Sequence, residues 1–194
     1  MLVEFNIKSV AAICDGHRGI GKDGGLPWPF LKPDYEFYTN LIESTKDPKK
    51  KNGIITGRVG WETLSLEKKT HPKMLQVVIS KSMSQDAPYC WGVAHNFDEA
   101  VRMLTTGPCK GEIETIYVLG GQLNYEIAVS DQRCTTFIIT RIFQDFDSDT
   151  FFPKFEHLCH RVRDPSIDDT IQVDEKTGIK FRFEVWEKNN VETS

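Results

Sequence analysis

Gly19-Ile20-Gly21-Lys22-Asp23-Gly24, with the Gly25-Leu26-Pro27-Trp28-Pro29 that follows it, decides which α/β fold this chain can adopt. The first six residues carry the G-x-G-x-x-G spacing of a dinucleotide fingerprint and come after an apolar run, the setting in which a Rossmann site would be read. That fingerprint must open directly into a helix, and here Pro27 and Pro29 withdraw backbone donors and impose extended geometry. The Rossmann reading therefore fails. What remains is a long glycine-rich loop stiffened at its proline end. Such a composition suits a lid over a cleft, and a plain surface connection is the simpler alternative.

On both sides of this loop, short β-branched runs alternate with longer segments of helical period, the pattern of a sheet crossed by helices. Strands are expected at residues 7–13, 52–56, 75–80, 92–94, 115–119, 135–140 and 180–187. A first helix is expected from Pro33-Asp34, with Tyr35, Tyr38, Leu41 and Ile42 on one face. A short turn at 61–64, a helix at 97–104 behind Asn96 as its cap, and a helix at 123–128 follow. Residues 141–185 break the alternation with an acidic loop at 145–149 and a turn at 174–178, which suits closing antiparallel strands. The expectation is one α/β domain over residues 1–188, a central mixed, mostly parallel sheet of about eight strands with flanking helices and antiparallel C-terminal strands. A loose tail is expected at 189–194.

Composition narrows the function classes. A chain of 194 residues, 39% hydrophobic and 27% charged, can bury roughly 70% of the surface its unfolded form exposes and needs no staple. Its net charge of -4 comes without long single-sign runs, and Lys49-Lys50-Lys51 beside Asp47 and Pro48 reads as a solvated loop, so no nucleic-acid partner is expected. Five cysteines, scattered and without a Cys-x-x-Cys pair, argue against disulfides and against a zinc site, and fit a reduced cytoplasmic setting. His157, Cys159 and His160 look like ligands, but the adjacent pair points apart, and no metal is expected. The first residues lack a basic region leading into an apolar core, and no long apolar run occurs, so neither export nor a membrane span is expected.

Two further places run strand, glycine, helix: Ile54-Ile55-Thr56-Gly57-Arg58-Val59-Gly60 and Tyr117-Val118-Leu119-Gly120-Gly121-Gln122. Each would aim unpaired helix N-terminal amides at one point, so the pair makes a diphosphate cradle, although tight turns alone also explain the glycines. Adjacent Gly120 and Gly121 also allow close backbone approach or an unusual peptide geometry. By position alone Asp34 is a dipole-stabilising acid, Trp28, Tyr35 and Tyr38 are core aromatics, and Thr140 is a β-branched strand residue. Ser80-Lys81 could hold a phosphate or simply end a strand.

Taken together, these segments resemble dihydrofolate reductase over residues 10–188. Four stretches carry the resemblance: Gly19-Ile20-Gly21-Lys22 with Leu26-Pro27-Trp28; Gly57-Arg58 with Trp61-Glu62; Gly120-Gly121 with Tyr125; and Thr140-Arg141-Ile142 with Asp149-Thr150-Phe151-Phe152-Pro153. Phe151-Phe152-Pro153 and the closing Phe183-Glu184-Val185-Trp186-Glu187-Lys188 are similar to animal-type, monofunctional members. The resemblance implies an NADPH-dependent oxidoreductase that passes hydride to 7,8-dihydrofolate, giving tetrahydrofolate for one-carbon metabolism and thymidylate synthesis. It further implies a cytoplasmic monomer and a target of antifolate inhibitors.

The same resemblance implies roles for single residues. Asp34 becomes the pterin-binding carboxylate, four residues before the aromatic matched by Tyr38, in a network with Thr140 and a water held by Trp28, and Leu26 completes the catalytic set. Val10, Ala11 and Ala12 would floor the pterin site, and Tyr35, Tyr38, Thr63, Leu64 and Leu119 would join Leu26 in walling it. Ala12, Ile20 and Gly21, in the loop from Gly19 to Gly24, would meet the nicotinamide and its ribose. Gly57, Arg58, Val59 and Gly60, with Gly120, Gly121, Gln122 and Leu123, would take the diphosphate, and Tyr125 the cofactor's flank. Arg58, Ser80, Lys81 and His95 would surround the 2′-phosphate.

Two positions depart from the family pattern. Gly60 stands where a threonine is usual, and Met74 stands where an arginine normally forks to the α-carboxylate of the glutamate tail. Lys73 and Lys68 are the nearest cations, and a lysine is a point charge without that fork, so a weak grip on the tail is expected. A reductase of another heterocycle and a silent nucleotide-binding fold stand as rival readings.

Overall fold

The computed structural model describes residues 6–189, and its sheet grows from the first apolar run. In chain order the elements are β1 (Asn6–Cys14), β2 (Gly19–Gly21), α1 (Lys32–Glu43), β3 (Lys51–Gly57), α2 (Arg58–Glu62) and α3 (Leu66–Lys69). Then come β4 (Met74–Ile79), β5 (Gly92–Ala94), α4 (Phe97–Thr105), β6 (Ile113–Val118) and α5 (Gln122–Ser130). The last are β7 (Cys134–Ile142), β8 (Thr150–Phe151), β9 (Cys159–Val162), β10 (Gln172–Val173) and β11 (Lys180–Lys188). All seven expected strands and the principal helices are present, displaced by a few residues at most at their ends.

The main sheet has the order β10-β11-β7-β1-β6-β3-β4-β5, and β9 pairs with the far part of β11's outer edge. The six strands from β7 to β5 are mutually parallel, and β11 returns antiparallel to β7. β1 lies in the middle and alternates faces strictly. Ile7, Ala11 and Ile13 join the core under α4 and α5, whereas Val10, Ala12 and Cys14 turn to the face covered by α1. Burial on both faces is why this strand reads as a nearly continuous apolar run.

Caps behave as their chemistry requires. Asn96 Oδ1 accepts the Glu99 amide at 2.9 Å to start α4. α1 lacks a side-chain cap and starts instead on Pro33 and Asp34 in its first turn.

The glycine loop departs from its expected form. Residues 19–21 are a short strand, β2, paired antiparallel with β8 from the segment read as an acidic loop and its sequel. Asp23 N donates to Asp149 Oδ2 at 2.8 Å, Asp149 N donates to Gly21 O at 3.0 Å, and Lys22 lies 3.1 Å from Asp147. The glycine loop is therefore fastened to residues more than a hundred positions away, a pairing with no local signal. α3 was likewise unanticipated, and Ser65 caps it by accepting the Lys68 amide. Of the expected tail, residues 190–194 lie outside the described residues, and Asn189 donates its amide to Leu158 O at 2.9 Å. Among the described residues no helix is long and apolar enough to cross a membrane.

Candidate active site

Parallel strands deliver their carboxyl ends to one edge of the sheet, where ligands of open α/β sheets collect. At that edge β1, the loop after β2, α1, β3, α2, β6 and β7 enclose a cleft of about 490 Å³. Its lining includes the expected Val10, Ala11, Ala12, Leu26, Trp28, Asp34, Tyr35, Tyr38, Gly60, Thr63, Leu64, Leu119, Tyr125 and Thr140. Five lining residues were missed: Phe30, Leu31, Phe37, Ile54 and Thr56. A signal for three of them existed, because Phe37 follows Asp34 at helical i+3 spacing and Ile54 and Thr56 share one face of β3 at the strand period of two.

Asp34 is the single carboxylate among the described residues of the lining. The first turn of α1 aims it into the cleft, and the parallel register of β1 with β7 sets Thr140 beside Ala12, bringing the Thr140 hydroxyl to the Asp34 carboxylate. Burial pushes the Asp34 carboxyl above the usual carboxylate range, and the Thr140 hydroxyl opposes that shift only in part. Trp28 Nε1 is buried without a hydrogen-bond partner in the protein. A buried indole N–H calls for an acceptor, which fits a bridging water or a ligand atom in the cleft. Tyr125 is spent structurally: its hydroxyl donates to Val10 O at 2.8 Å and its ring packs on Phe152.

Beyond the ring-sized part of the cleft, the two glycine-edged strand ends meet. Gly57 N donates to Gly120 O at 2.8 Å, as does Asn124 Nδ2 at 2.7 Å, and the Gly120-Gly121 peptide is cis. A Cβ on Gly57 would stand 3.3 Å from Gly121 N, so this crossing admits glycine best. Gly60 faces Thr56: a Cβ there would lie 3.2 Å from Thr56 Oγ1, so the strand supplies a hydroxyl next to the position where the helix lacks one. Ser80 with Lys81, His95 and Arg58 follow the ends of the adjacent strands β4, β5 and β3 and so share one rim. Ser80 Oγ accepts the Ser82 and Met83 amides at 3.2 and 3.1 Å, leaving its own proton to donate. Two of these side chains are already engaged: Arg58 Nη1 donates to both carboxylate oxygens of Glu62 at 3.0 and 3.1 Å, and His95 Nδ1 lies 3.1 Å from Glu99 Oε2.

At the other end a narrow recess joins Tyr38, Leu64 and Leu119 to Lys68 and Met74. Met74 is buried there at the start of β4. Lys68 pairs with Glu43, donates to Thr39 Oγ1 at 3.1 Å and stands over the Tyr35 ring. Lys73 is not brought to the recess; its ammonium donates to Pro48 O. Of the two lysines expected near the tail, the fold delivers Lys68 alone, and delivers it already paired.

A lone carboxylate in a largely apolar cleft can orient and polarise a flat nitrogen heterocycle, the task of a reductase whose electrons come from a second ligand. In class this is an α/β oxidoreductase. Comparison with known proteins gives the family. The family described as dihydrofolate reductase matches residues 6–188. The dihydrofolate reductase of Drosophila melanogaster is 32% identical over 190 residues, 97% of this chain and 100% of that protein. The Gallus gallus enzyme is 26% identical over 184 residues, covering 95% and 97%. The solved Schistosoma mansoni dihydrofolate reductase superposes with a TM-score of 0.82 at 26% identity, covering 96% of this chain and 100% of that one. The chain belongs to the dihydrofolate reductase family.

Proposed function

We propose that this family member transfers hydride from NADPH to 7,8-dihydrofolate, with Asp34 holding the pterin and the glycine-edged strand ends holding the cofactor's diphosphate. The observation that carries the reading is the half-buried carboxylate of Asp34 facing Thr140 in a largely apolar cleft. A carboxylate there accepts two hydrogen bonds from the amidine-like edge of a pterin, charge-assisted bonds worth on the order of 1.5 to 3 kcal/mol. It orients the ring and favours positive charge beside the carbon that receives hydride. Trp28 Nε1, buried without a protein partner, would hold a water from which that neighbourhood is protonated, and Leu26 and the aromatic wall would shield a bound ring from bulk solvent.

The residues present fit the cofactor. The crossing at Gly57 and Gly120 brings two backbone segments together without side chains between them, and the rim at Ser80, Lys81, His95 and Arg58 supplies donors and positive charge for a phosphate. NADPH, when bound, supplies the hydride. One domain over residues 1–188, acting as a monomer in the cytoplasm, belongs to the same reading. The deciding experiment is loss of NADPH absorbance on adding dihydrofolate to the purified chain; binding of NADPH without turnover, or turnover of another heterocycle alone, would reject it.

Cofactor choice is testable separately. Arg58→Ala combined with Lys81→Ala is expected to weaken NADPH by about 1 to 3 kcal/mol more than NADH, as charge-assisted contacts to the 2′-phosphate are lost. Because Arg58 must first leave Glu62, the Lys81 change is expected to carry the larger share. Fluorescence titration of both cofactors reads this, and equal weakening of the two would remove these residues from phosphate recognition.

The folate tail should be held weakly. Its carboxylate would approach Lys68 and find Glu43 already there. Glu43→Gln is therefore expected to tighten a glutamate-tailed antifolate by about 1 to 2 kcal/mol while leaving a tailless lipophilic one unchanged, measured by inhibition. A Met74→Arg change would have to repack a buried position to reach the same end. Equal tightening of both antifolates would show that Lys68 does not meet the tail.

A further inference from the structure

A second set of ligating atoms lies outside the cleft lining. Cys14 ends β1, His17 follows three residues later, and Asp145 arrives on the loop after β7. Among the described residues, these are the three His, Cys, Asp or Glu side chains whose donor atoms all lie within 4.8 Å of one another. Cys14 is fully buried against Trp28, Leu31 and Ile142. His17 Nδ1 accepts the Gly19 amide at 2.9 Å, which turns Nε2 toward Asp145 Oδ1, 3.8 Å away. Asp145 Oδ1 accepts the Gly16 amide at 3.0 Å, so both ends of the cluster are anchored on the segment that leads into β2.

We propose that Cys14, His17 and Asp145 form a site for a thiophilic divalent cation of the zinc type, separate from the cleft, whose occupation clips the glycine loop to the loop after β7. The donor set is the first support. One sulfur, one imidazole nitrogen and one carboxylate oxygen are a three-ligand tetrahedral set with water as the fourth ligand, and are the wrong set for calcium or magnesium, which take oxygen. Geometry is the second. Bonds of roughly 2.0 to 2.3 Å from one sulfur, one nitrogen and one oxygen span a tetrahedron whose edges are about 3.3 to 3.6 Å, so atoms lying within 4.8 Å of one another need to contract by up to about 1.5 Å. Charge is the third: thiolate and carboxylate together neutralise the cation beside a buried sulfur. Binding exchanges the thiol's S–H bond for the metal–sulfur bond and releases that proton to solvent.

Occupation is transmitted to the lid by a specific exchange. With Nε2 on the cation, the imidazole proton sits on Nδ1, where it faces the Gly19 N–H instead of accepting from it. That hydrogen bond is given up, and the start of β2, paired through Gly19 to Phe151, must adjust. A bound cation is therefore expected to slow turnover. The effect on turnover rests on the lid reading above, whereas cation binding itself does not.

The test is titration of the full chain with cobalt(II), followed by thiolate-to-cobalt absorption in the near ultraviolet and the visible bands of tetrahedral cobalt. Wild type is expected to show both, zinc to bleach them, and calcium or magnesium to leave them. Cys14→Ser should abolish the thiolate band, His17→Ala and Asp145→Asn should each weaken binding by at least about tenfold, and Cys90→Ser, at the most accessible thiol, should change nothing. Because Cys14 is buried and its variant could misfold, the half-exposed His17 and Asp145 carry the test independently. Absence of a thiolate band, its survival in Cys14→Ser, or its indifference to both His17→Ala and Asp145→Asn overturns the site. Turnover that zinc does not lower, with cobalt bound as expected, overturns the clip.

Discussion

Asp34→Asn is expected to lower turnover of dihydrofolate by roughly 10² to 10⁴ at neutral pH, the scale of a positioned acid or base, while the fold and NADPH binding survive. Asparagine keeps the shape and one acceptor, and loses the charge that pairs with the pterin edge. The pH profile adds a second readout. Burial displaces the Asp34 ionisation above the usual carboxylate range, with Thr140 opposing, so the wild-type profile of kcat/KM should contain an ionisation above the ordinary carboxylate value that is missing from the variant. Stability should move the other way. An acid whose folded pKa is raised ionises more readily in the unfolded chain, so above both values it costs stability. Asp34→Asn should then be at least as stable as wild type at neutral pH. Near-wild-type turnover would sink the assignment, and a loss of both turnover and fold would make Asp34 structural.

Glu184→Leu is expected to destabilise the fold by about 3 to 5 kcal/mol, the cost of leaving a buried charge unpaired. Glu184 lies on β11 with its side chain 1% exposed. Its Oε2 accepts from Arg141 Nε and Trp186 Nε1, both at 3.0 Å, and its Oε1 accepts from Arg182 Nε at 3.0 Å. Leucine preserves volume and removes the counter-charge. Arg141, itself buried, would be left with Asp15 and Glu156 at 3.6 Å each. Burial alone would raise the Glu184 carboxyl, but the Arg182 hydrogen bond, the Arg141 charge and the Trp186 bond outweigh it and hold it below its usual value. For a depressed acid, the stabilisation is full above the unfolded value of about 4.3 and is lost as pH falls through the folded one. Urea unfolding should show wild type losing stability in that acid window and Glu184→Leu losing less of it. Because Thr140 precedes Arg141 on β7, activity at low denaturant should decline in parallel. A variant within about 1 kcal/mol of wild type would mean that Asp15 and Glu156 suffice for Arg141.

How much of this was legible beforehand follows from where each signal resides. β1, β3, β4, β6, β7 and β11 were readable because short apolar, β-branched runs are written locally, and α4 because Asn96 announces its start. β9 and β10, four and two residues long, and the β2–β8 pair are too short for a period to register. Asp34 was readable as a helix-start acid from position and as a ligand-binding carboxylate only through family resemblance.

By itself, then, the sequence determined an α/β sheet rather than a Rossmann unit, through Pro27 and Pro29 after the glycines, together with the order of the strands along the chain and the candidate residues at their ends. Tertiary structure alone decided which of those candidates meet. The parallel register of β1 with β7 sets Thr140 against Asp34, the crossing of Gly57 with Gly120 joins two distant strand ends, and Glu43 reaches Lys68 before any substrate can. It also brought Asp145 to Cys14 and His17 across some 130 residues. The physical reason is common to all four. Period, caps and breakers act within a few residues and are printed in the chain, whereas a carboxylate's partner, and so its charge state, is set by side chains that only packing makes neighbours.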